Sequence, residues 1–323
     1  MRIIIIISVF LIIACSSDTK LKKKDENPKV KIHVPNFNAD SAYHYIQKQV
    51  DFGPRVISSI AWENCAVWLE NKFKTYTSNV IVQKAPVTTY DGKEHTLKNI
   101  IASFSLDNNN RVALFAHWDS RHIADHDTKN QNSPILGAND GGSGVGVLLE
   151  LARQFNIKNP NIGVDIILFD AEDYGQPENS RFPLMQDSWC LGSQYWSKNL
   201  HKANYYARYG ILLDMVGGKN ATFRHEQISE YYGYNILQNV WRQAHKLGFG
   251  NYFIYEKANQ ILDDHYYVNT ITGIPTIDII EYDPSTKSNF NKHWHTHKDD
   301  MNNIDKNTLY AVGQTLLEVI YRE

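Results

Sequence analysis

Four runs of this 323-residue chain are apolar at nearly every position: RVALFA (111–116), VDIILF (164–169), YGILL (209–213) and PTIDII (275–280). A strand with one face in water alternates apolar and polar residues. A strand apolar throughout is buried on both faces, and such strands belong to parallel sheets covered by helices. The intervening segments suit that role. GVGVLLELARQF places Val145, Leu148, Leu149, Ala152 and Phe155 at helical spacing. GSQYWSKNL, ISEYYGYNILQNVWRQAHKL and the closing NTLYAVGQTLLEVIYR also read as helices, as do SAYHYIQKQV and AWENCAVWLENKF near the start. VIVQKAPVTTY and KNIIASFS read as two further strands joined by the turn signal Asp91-Gly92, which suits an antiparallel edge. The expected fold class is α/β: a central, mostly parallel (mixed) sheet flanked by helices on both faces, in a single catalytic domain over residues 39–323.

In open sheets of this kind, binding sites form beyond the carboxyl ends of the strands. The chemistry of this sequence collects there. RVALFA runs into His117-Trp118-Asp119-Ser120-Arg121, and VDIILF into Asp170-Ala171-Glu172-Asp173. YGILL runs into Asp214, and PTIDII into Glu281 and on to Trp294-His295. GANDGGSGVG sets Asp140 before a helix, and NQILDDHYYV carries Asp263, Asp264 and His265. Each has an ordinary structural reading: Asp140 as a helix N-cap, Glu172-Asp173 as a solvated acidic loop, His265 and His117 as satisfied histidines. Their sorting onto one edge of one sheet is what argues for a site. Imidazoles and carboxylates together suit zinc, which in catalytic sites takes three protein ligands and keeps one open position. A further carboxylate beside it would serve as general base. Spacing alone leaves open which groups are ligands.

The amino terminus, MRIIIIISVFLIIAC, has one positive charge, an apolar run too short to span a bilayer comfortably, and a cysteine. Ile12-Ile13-Ala14-Cys15 resembles the lipobox of bacterial lipoproteins, which implies a signal peptide over residues 1–14, lipid on Cys15 and an exported, membrane-anchored protein of a bacterial cell envelope. SSDTKLKKKDENPK follows, and residues 15–38 read as a flexible tether. Cys65 and Cys190 suit either a disulfide or two buried thiols. A formal net charge of −2 without clustered basic residues gives no nucleic-acid footprint.

The order His117-x-Asp119, Asn139-Asp-Gly-Gly-Ser-Gly, Phe169-Asp-Ala-Glu-Asp, Leu213-Asp-Met and a late His295-Thr296 resembles the zinc-aminopeptidase clan. Asp263-Asp264-His265 and Trp294-His-Thr-His-Lys-Asp-Asp tilt the resemblance towards the glutaminyl-peptide cyclases of the animal and bacterial type. The resemblance spans Asp40 to Glu323. It implies a twisted sheet of the zinc-aminopeptidase kind and one zinc ion per chain, held by Asp140, Asp173 and His295. It further implies Glu172 as general base and acid, Asp214 and Asp263 as a hydrogen-bonded acid pair near the substrate, and Trp294 as a pocket wall. Cyclases use a second pocket tryptophan, for which Trp189 is the candidate beyond the insertion GQPENSRFPLMQDSW. Two departures stand out. Cyclases often carry Glu-Glu where this chain has Glu172-Asp173, and His117, Asp140, Asp173, Asp214 and His295 are also the five ligands of a two-zinc aminopeptidase.

The implied reaction converts the N-terminal Gln of a peptide or protein to pyroglutamate with release of ammonia. The rivals are a two-zinc aminopeptidase that hydrolyses the first peptide bond, and a peptide-binding lipoprotein with an inactivated peptidase domain, against which Glu172 argues. Within HWHTHKDDMNNID, His295 is the expected ligand. An extended segment would turn His293 and His297 to the same side as second-shell or solvated groups, and Asp305 would cap the last helix.

Overall fold

The computed structural model describes residues 32–323, so the signal peptide, Cys15 and most of the expected tether lie outside the described residues. Residues 33–323 form one compact unit. Its elements, in chain order, are α1 (Ala39–Val50), α2 (Ile60–Lys74), β1 (Val80–Thr88), β2 (Glu94–Phe104), β3 (Arg111–His117), α3 (Gly142–Ile157), β4 (Gly163–Phe169), α4 (Leu191–Lys198), β5 (Gly210–Asp214), β6 (Phe223–His225), α5 (Gln227–Lys246), β7 (Phe253–Lys257), α6 (Asp264–Tyr267), β8 (Thr276–Ile280) and α7 (Lys306–Tyr321).

The main sheet has six strands in the order β1-β2-β4-β3-β5-β8. The four apolar runs form its parallel half, β4-β3-β5-β8. β1 and β2 pair antiparallel through the Asp91-Gly92 turn, and β2 pairs antiparallel with β4. The side chains obey the period of two. Leu114, Ile166, Leu168, Ile211, Leu213, Ile277 and Ile279 face the larger core, where Val145, Leu148 and Phe155 of α3 and Leu316 of α7 pack. Phe115, Ile167, Phe169 and Leu212 face the other side, against Trp196 of α4. Both faces of the parallel half are therefore dry, as its uninterrupted apolar composition requires.

β3 sits at the turning point of the sheet. The chain passes from β3 through α3 to β4 on one side, then through α4 to β5 on the other. A crevice opens at the carboxyl end of β3, where the two connections part. α3 starts at that end and lies close against the strands. A Cβ on Gly144 would stand 2.3 Å from the Leu213 carbonyl oxygen and 2.9 Å from Ala116 Cβ.

Residues 33–38, assigned to the tether from sequence, are held against the body. The Phe37 amide donates to Gln314 Oε1 at 2.8 Å, and the Phe37 ring lies where a Cβ on Gly313 would be, 2.2 Å from its nearest atom. Asn38 caps α1 by accepting from Ser41 N. Cys65 and Cys190 are free and buried. No described helix is long and apolar enough to cross a membrane.

Candidate active site

The strands stop and the chain turns sharply. Ala171 (φ 53°) follows β4, Met215 (φ 49°) follows β5, and Cys190 (φ 56°) and His295 (φ 55°) border the same crevice. Left-handed backbone at such residues is costly and persists where the surroundings over-determine it, commonly at functional sites. Here it turns consecutive side chains towards one cavity.

That cavity, of about 190 Å³, is lined by Asp140, Glu172, Asp173, Trp189, Asp214, Asp263, Trp294 and His295, all eight of the site residues expected from sequence. Met215, Ile261, Leu262, Ile280 and Phe290 complete it with apolar surface. Cavities of this make-up, apolar with a few converging polar groups, are characteristic of ligand sites.

Asp140 does not cap α3. The N-cap is Gly141, at φ 79° and without a side-chain cap bond, so the Asp140 carboxylate stays free for the crevice. Only glycine fits at 141, because a Cβ would lie 2.3 Å from the Asp119 carbonyl oxygen and 3.0 Å from His117 Cε1. Two buried carboxylates then set the polar loops. Asp119 accepts from the amides of Glu172 and Asp173, both at 3.1 Å, and Asp299 accepts from the amides of Asn139 and Asp140 at 2.8 and 3.0 Å. Both acids stand in the sequence motifs, which assign neither of them a role.

Asp140, Asp173 and His295 each offer a ligating atom, all within 4.8 Å of one another. His295 Nε2 lies 3.2 Å from Asp173 Oδ1 and 3.7 Å from Asp140 Oδ2. Asp140 Oδ2 and both Asp173 oxygens are buried without a hydrogen-bond partner. Orphaned buried carboxylate oxygens are costly, and a cation between them and the imidazole removes that cost. Two oxygens and one imidazole nitrogen fit zinc. On its other edge, His295 Nδ1 stands 3.2 Å from Asp125, which Arg121 grips at 2.9 and 2.6 Å. Carboxylates behind histidine ligands set ring orientation in metal sites. Arg121 is fully buried, also donates to the carbonyls of Asp173 and Gly175, and stacks 4.4 Å from the Trp189 ring centroid. Asp125 and Arg121 were not expected as site residues; only the position of Arg121 just past a strand end hinted at them.

A second group meets beside the first. His117 Nε2 lies 3.0 Å from Asp140 Oδ1 and 3.2 Å from Asp214 Oδ1. Burial opposes a charge on His117, but its hydrogen bonds to Asp119, Asp140 and Asp214 override this and hold its pKa well above the ordinary value. Burial likewise works against Asp140, whose hydrogen bond to His117 keeps its carboxyl low. Asp214 is pushed up by burial to about 7, with the charges of Asp140 and Asp263 adding to the rise despite His117. Asp173 is raised by burial to about 6.

Glu172 lines the same cavity as His295. Burial pushes its carboxyl well above the usual range, the charge on His117 opposes this, and Asp173 and Asp263 reinforce it. Its side chain keeps 12% exposure, towards the cavity. Its side-chain hydrogen-bond donor is the buried thiol of Cys190, 3.2 Å from Oε1. Asp263 caps α6, is raised chiefly by burial, and backs onto Asp278, itself raised by burial and by Asp263. Trp294 stacks on the His295 ring at 3.7 Å, and Trp189 lies nearly parallel to it at 6.0 Å. Trp118, by contrast, is fully buried against Trp62, as core packing predicts.

The segment around His295 is not extended. Successive turns join Asn291 to Trp294, His293 to Thr296 and Thr296 to Asp299. His293 and His297 therefore do not share the direction of His295. His297 pairs with Asp127 at 3.0 Å, and His293 lines a separate shallow cleft. His265 pairs with Glu226 at 3.1 Å inside the core, and Asp305 caps α7.

The description Peptidase family M28 matches residues 99–320, covering every strand and loop that builds the cavity. The chain belongs to peptidase family M28. Among solved M28-like structures it is similar to a Zn-dependent exopeptidase from Parabacteroides distasonis, with 54% identity, TM-score 0.88, and coverage of 90% of this chain and 100% of that one. It is similar to the glutaminyl cyclase of Tannerella forsythia at 52% identity, with TM-score 0.88 and the same coverage. A glutaminyl-peptide cyclotransferase from Dictyostelium discoideum is 26% identical over 257 residues, 73% of this chain; the match spans 66% of that relative's length. The mixed α/β fold expected from the apolar strands is thus the M28 fold, and the resemblance to glutaminyl cyclases holds in both comparisons.

Proposed function

We propose that this protein is a glutaminyl-peptide cyclotransferase, converting the N-terminal Gln of peptides or proteins to pyroglutamate and ammonia. The observation that carries the reading is Glu172: a carboxylate raised by burial that lines one small cavity with tryptophan walls together with Asp140, Asp173 and His295, which could hold a metal ion. The similarity at 52% identity to a glutaminyl cyclase supports it.

Asp140, Asp173 and His295 would hold one zinc ion. When bound, the ion supplies Lewis acidity to the side-chain amide of the substrate. The chain does the rest. Trp294, Trp189 and Phe290 hold the Gln side chain folded over its own amine, and such orientation is worth up to roughly 7–11 kcal/mol. Glu172 accepts a proton from the α-amine as nitrogen closes on the amide carbon, and returns it to the departing ammonia. Its raised pKa suits both halves of that exchange. Asp214 and Asp263, both raised by burial, hydrogen-bond the amide end of the substrate; they do not pair with each other as the resemblance implied, since Asp214 contacts His117 and Asp263 backs onto Asp278. Apolar walls keep out the water that would turn cyclisation into hydrolysis.

A two-zinc aminopeptidase is the second reading, because His117, Asp140 and Asp214 form another potential ligand set beside the first. One ion is preferred because His117 Nε2 already bridges Asp140 and Asp214 at 3.0 and 3.2 Å, which balances their charge without a metal. Mass spectrometry of a Gln-initiated peptide separates the two. Chelator-sensitive loss of one ammonia with intact peptide bonds supports the cyclotransferase, whereas free glutamine makes the protein an aminopeptidase.

We further propose an exported lipoprotein anchored through Cys15, supported by the lipobox-like sequence. Incorporation of a labelled fatty acid by the native chain, and its loss in Cys15→Ala, tests this.

A further inference from the structure

Apart from its last residue, Trp189, the insertion GQPENSRFPLMQDSW takes no part in the chemistry above, yet it is held firmly. Gln176 braces it: its side chain donates to the carbonyls of Phe182 and Pro183 at 3.2 and 3.0 Å and accepts from the Met185 amide at 2.7 Å, while its own amide donates to Ser188 Oγ at 3.0 Å. Fixed in this way, the insertion walls a second basin of about 540 Å³. Glu178 and Asn179 of the insertion line it, together with His126, Gln131 and Asn132 from the segment after β3. Trp189, Trp294 and His295 line both this basin and the catalytic cavity, so the two adjoin along a common wall.

We propose that this basin is the subsite for the second and third residues of the peptide, and that Glu178 selects a cationic side chain there. The proposal rests on the cyclotransferase reading. The catalytic cavity, at about 190 Å³, lies below the roughly 300–1,000 Å³ typical of ligand pockets and has room for a terminal residue only. The rest of the peptide must leave it, and two extended residues reach about 7 Å further. Two clefts share lining residues with the cavity; the one beside His293 holds only about 10 Å³, which leaves this basin as the polar surface with room for further residues. Its hydrogen-bonding side chains suit a peptide backbone.

The charge inside the basin is one-sided. No lysine or arginine lines it. Asp125 is committed to Arg121 and His295, so its charge is already balanced. Glu178 is exposed and, among the described residues, has no ion-pair partner. The free charge that an incoming side chain meets is therefore negative.

The test compares kcat/KM for ammonia release by the zinc-loaded enzyme from Gln-Ala-Lys, Gln-Ala-Ala and Gln-Ala-Glu amides, with Gln-Lys-Ala, Gln-Ala-Ala and Gln-Glu-Ala amides for the second position. The Lys peptide is expected to exceed the Ala peptide by about two- to five-fold at one of these positions, the size of a single exposed ion pair. The ratio should shrink in high salt. Glu178→Gln should bring it towards one, and Glu178→Lys should invert it in favour of Glu. Because each readout is a ratio within one preparation, partial loss of folded protein does not imitate it. Equal rates across the panel in the native enzyme overturn the subsite and leave cyclisation standing. A Lys preference untouched by Glu178→Gln overturns the assignment to Glu178. Absence of ammonia release from every peptide overturns the cyclotransferase reading and the subsite with it.

Discussion

Glu172 and Asp173 are neighbours in sequence that follow the left-handed turn at Ala171 and line one cavity, and the proposed mechanism gives them different tasks, base and ligand. Glu172→Gln is therefore expected to keep zinc at native stoichiometry and to lose about 10²–10⁴-fold in turnover, the usual share of a general base. Metal analysis and kcat on the same sample check both; a metal-free variant would undo the division of roles. Asp125 acts at one remove, through His295 Nδ1. Asp125→Asn should weaken zinc affinity about 10–100-fold, as loss of a carboxylate behind a ligand histidine does. Competition with a chromogenic chelator measures this without reference to activity. The residues that line the cavity were legible from their order along the chain and its resemblance to a known pattern. Asp125, Arg121 and Asp299 were not, because a residue that supports a ligand is defined by the contact it makes across the fold, and its own sequence neighbourhood carries no mark of it.

At the scale of elements, α3 is both a core helix and a wall of the site. Its first five residues carry glycines at 142, 144 and 146, a poor composition for a helix start. The structure explains the choice: a Cβ at 144 would lie 2.3 Å from the Leu213 carbonyl oxygen, the residue before Asp214. Gly144→Ala gains helix propensity yet is expected to destabilise the protein by about 1–3 kcal/mol through overpacking. Urea unfolding would show it, and a stabilised variant would refute the close approach. The segment 293–299 went the other way. Its apparent regularity suggested an extended run with three histidines on one side. The turns closing at Trp294, Thr296 and Asp299 turn one histidine inward and leave the other two to separate surroundings. Turn formation there depends on Asp299 reaching the amides of Asn139 and Asp140, far away in sequence.

For the molecule as a whole, metal and protons are linked to folding. Asp140, Asp173 and His295 converge only in the folded chain, so a zinc ion held by them would bind the folded chain in preference to the unfolded one. Saturation at a thousand times the dissociation constant would add about 4 kcal/mol, and chelation should lower the melting temperature accordingly. Calorimetry with and without chelator tests this. His122 sets an acid limit. It is stacked on Tyr174 at 3.9 Å, and burial, with Arg121 adding to it, lowers its pKa from 6.5 to about 3. The unfolded chain then binds the proton first. Stability is full above pH ~6.5 and is lost as pH falls from there towards ~3, by up to about 5 kcal/mol in all. His122→Gln should flatten the acid limb of a stability profile relative to the native protein; an unchanged limb would show that His122 is not the group responsible.

The sequence by itself determined the parallel half of the sheet, its two-sided cover and the end at which chemistry collects. These follow from local rules: the period of apolar residues along a strand or helix, and the connection geometry such strands allow. The residues that meet in the cavity were within reach as well, since Asp173 and Asp214 stand at strand ends, Asp140 stands just before α3, and His295 lies in the loop beyond β8. Only the tertiary structure decided that Gly141, not Asp140, caps α3, that residues 33–38 pack against the body, that the two core cysteines stay apart, and that Arg121 and Asp125 stand behind His295. Each of these is a contact between residues remote along the chain. Their energies depend on distances of a few ångströms, which no pattern of neighbours encodes.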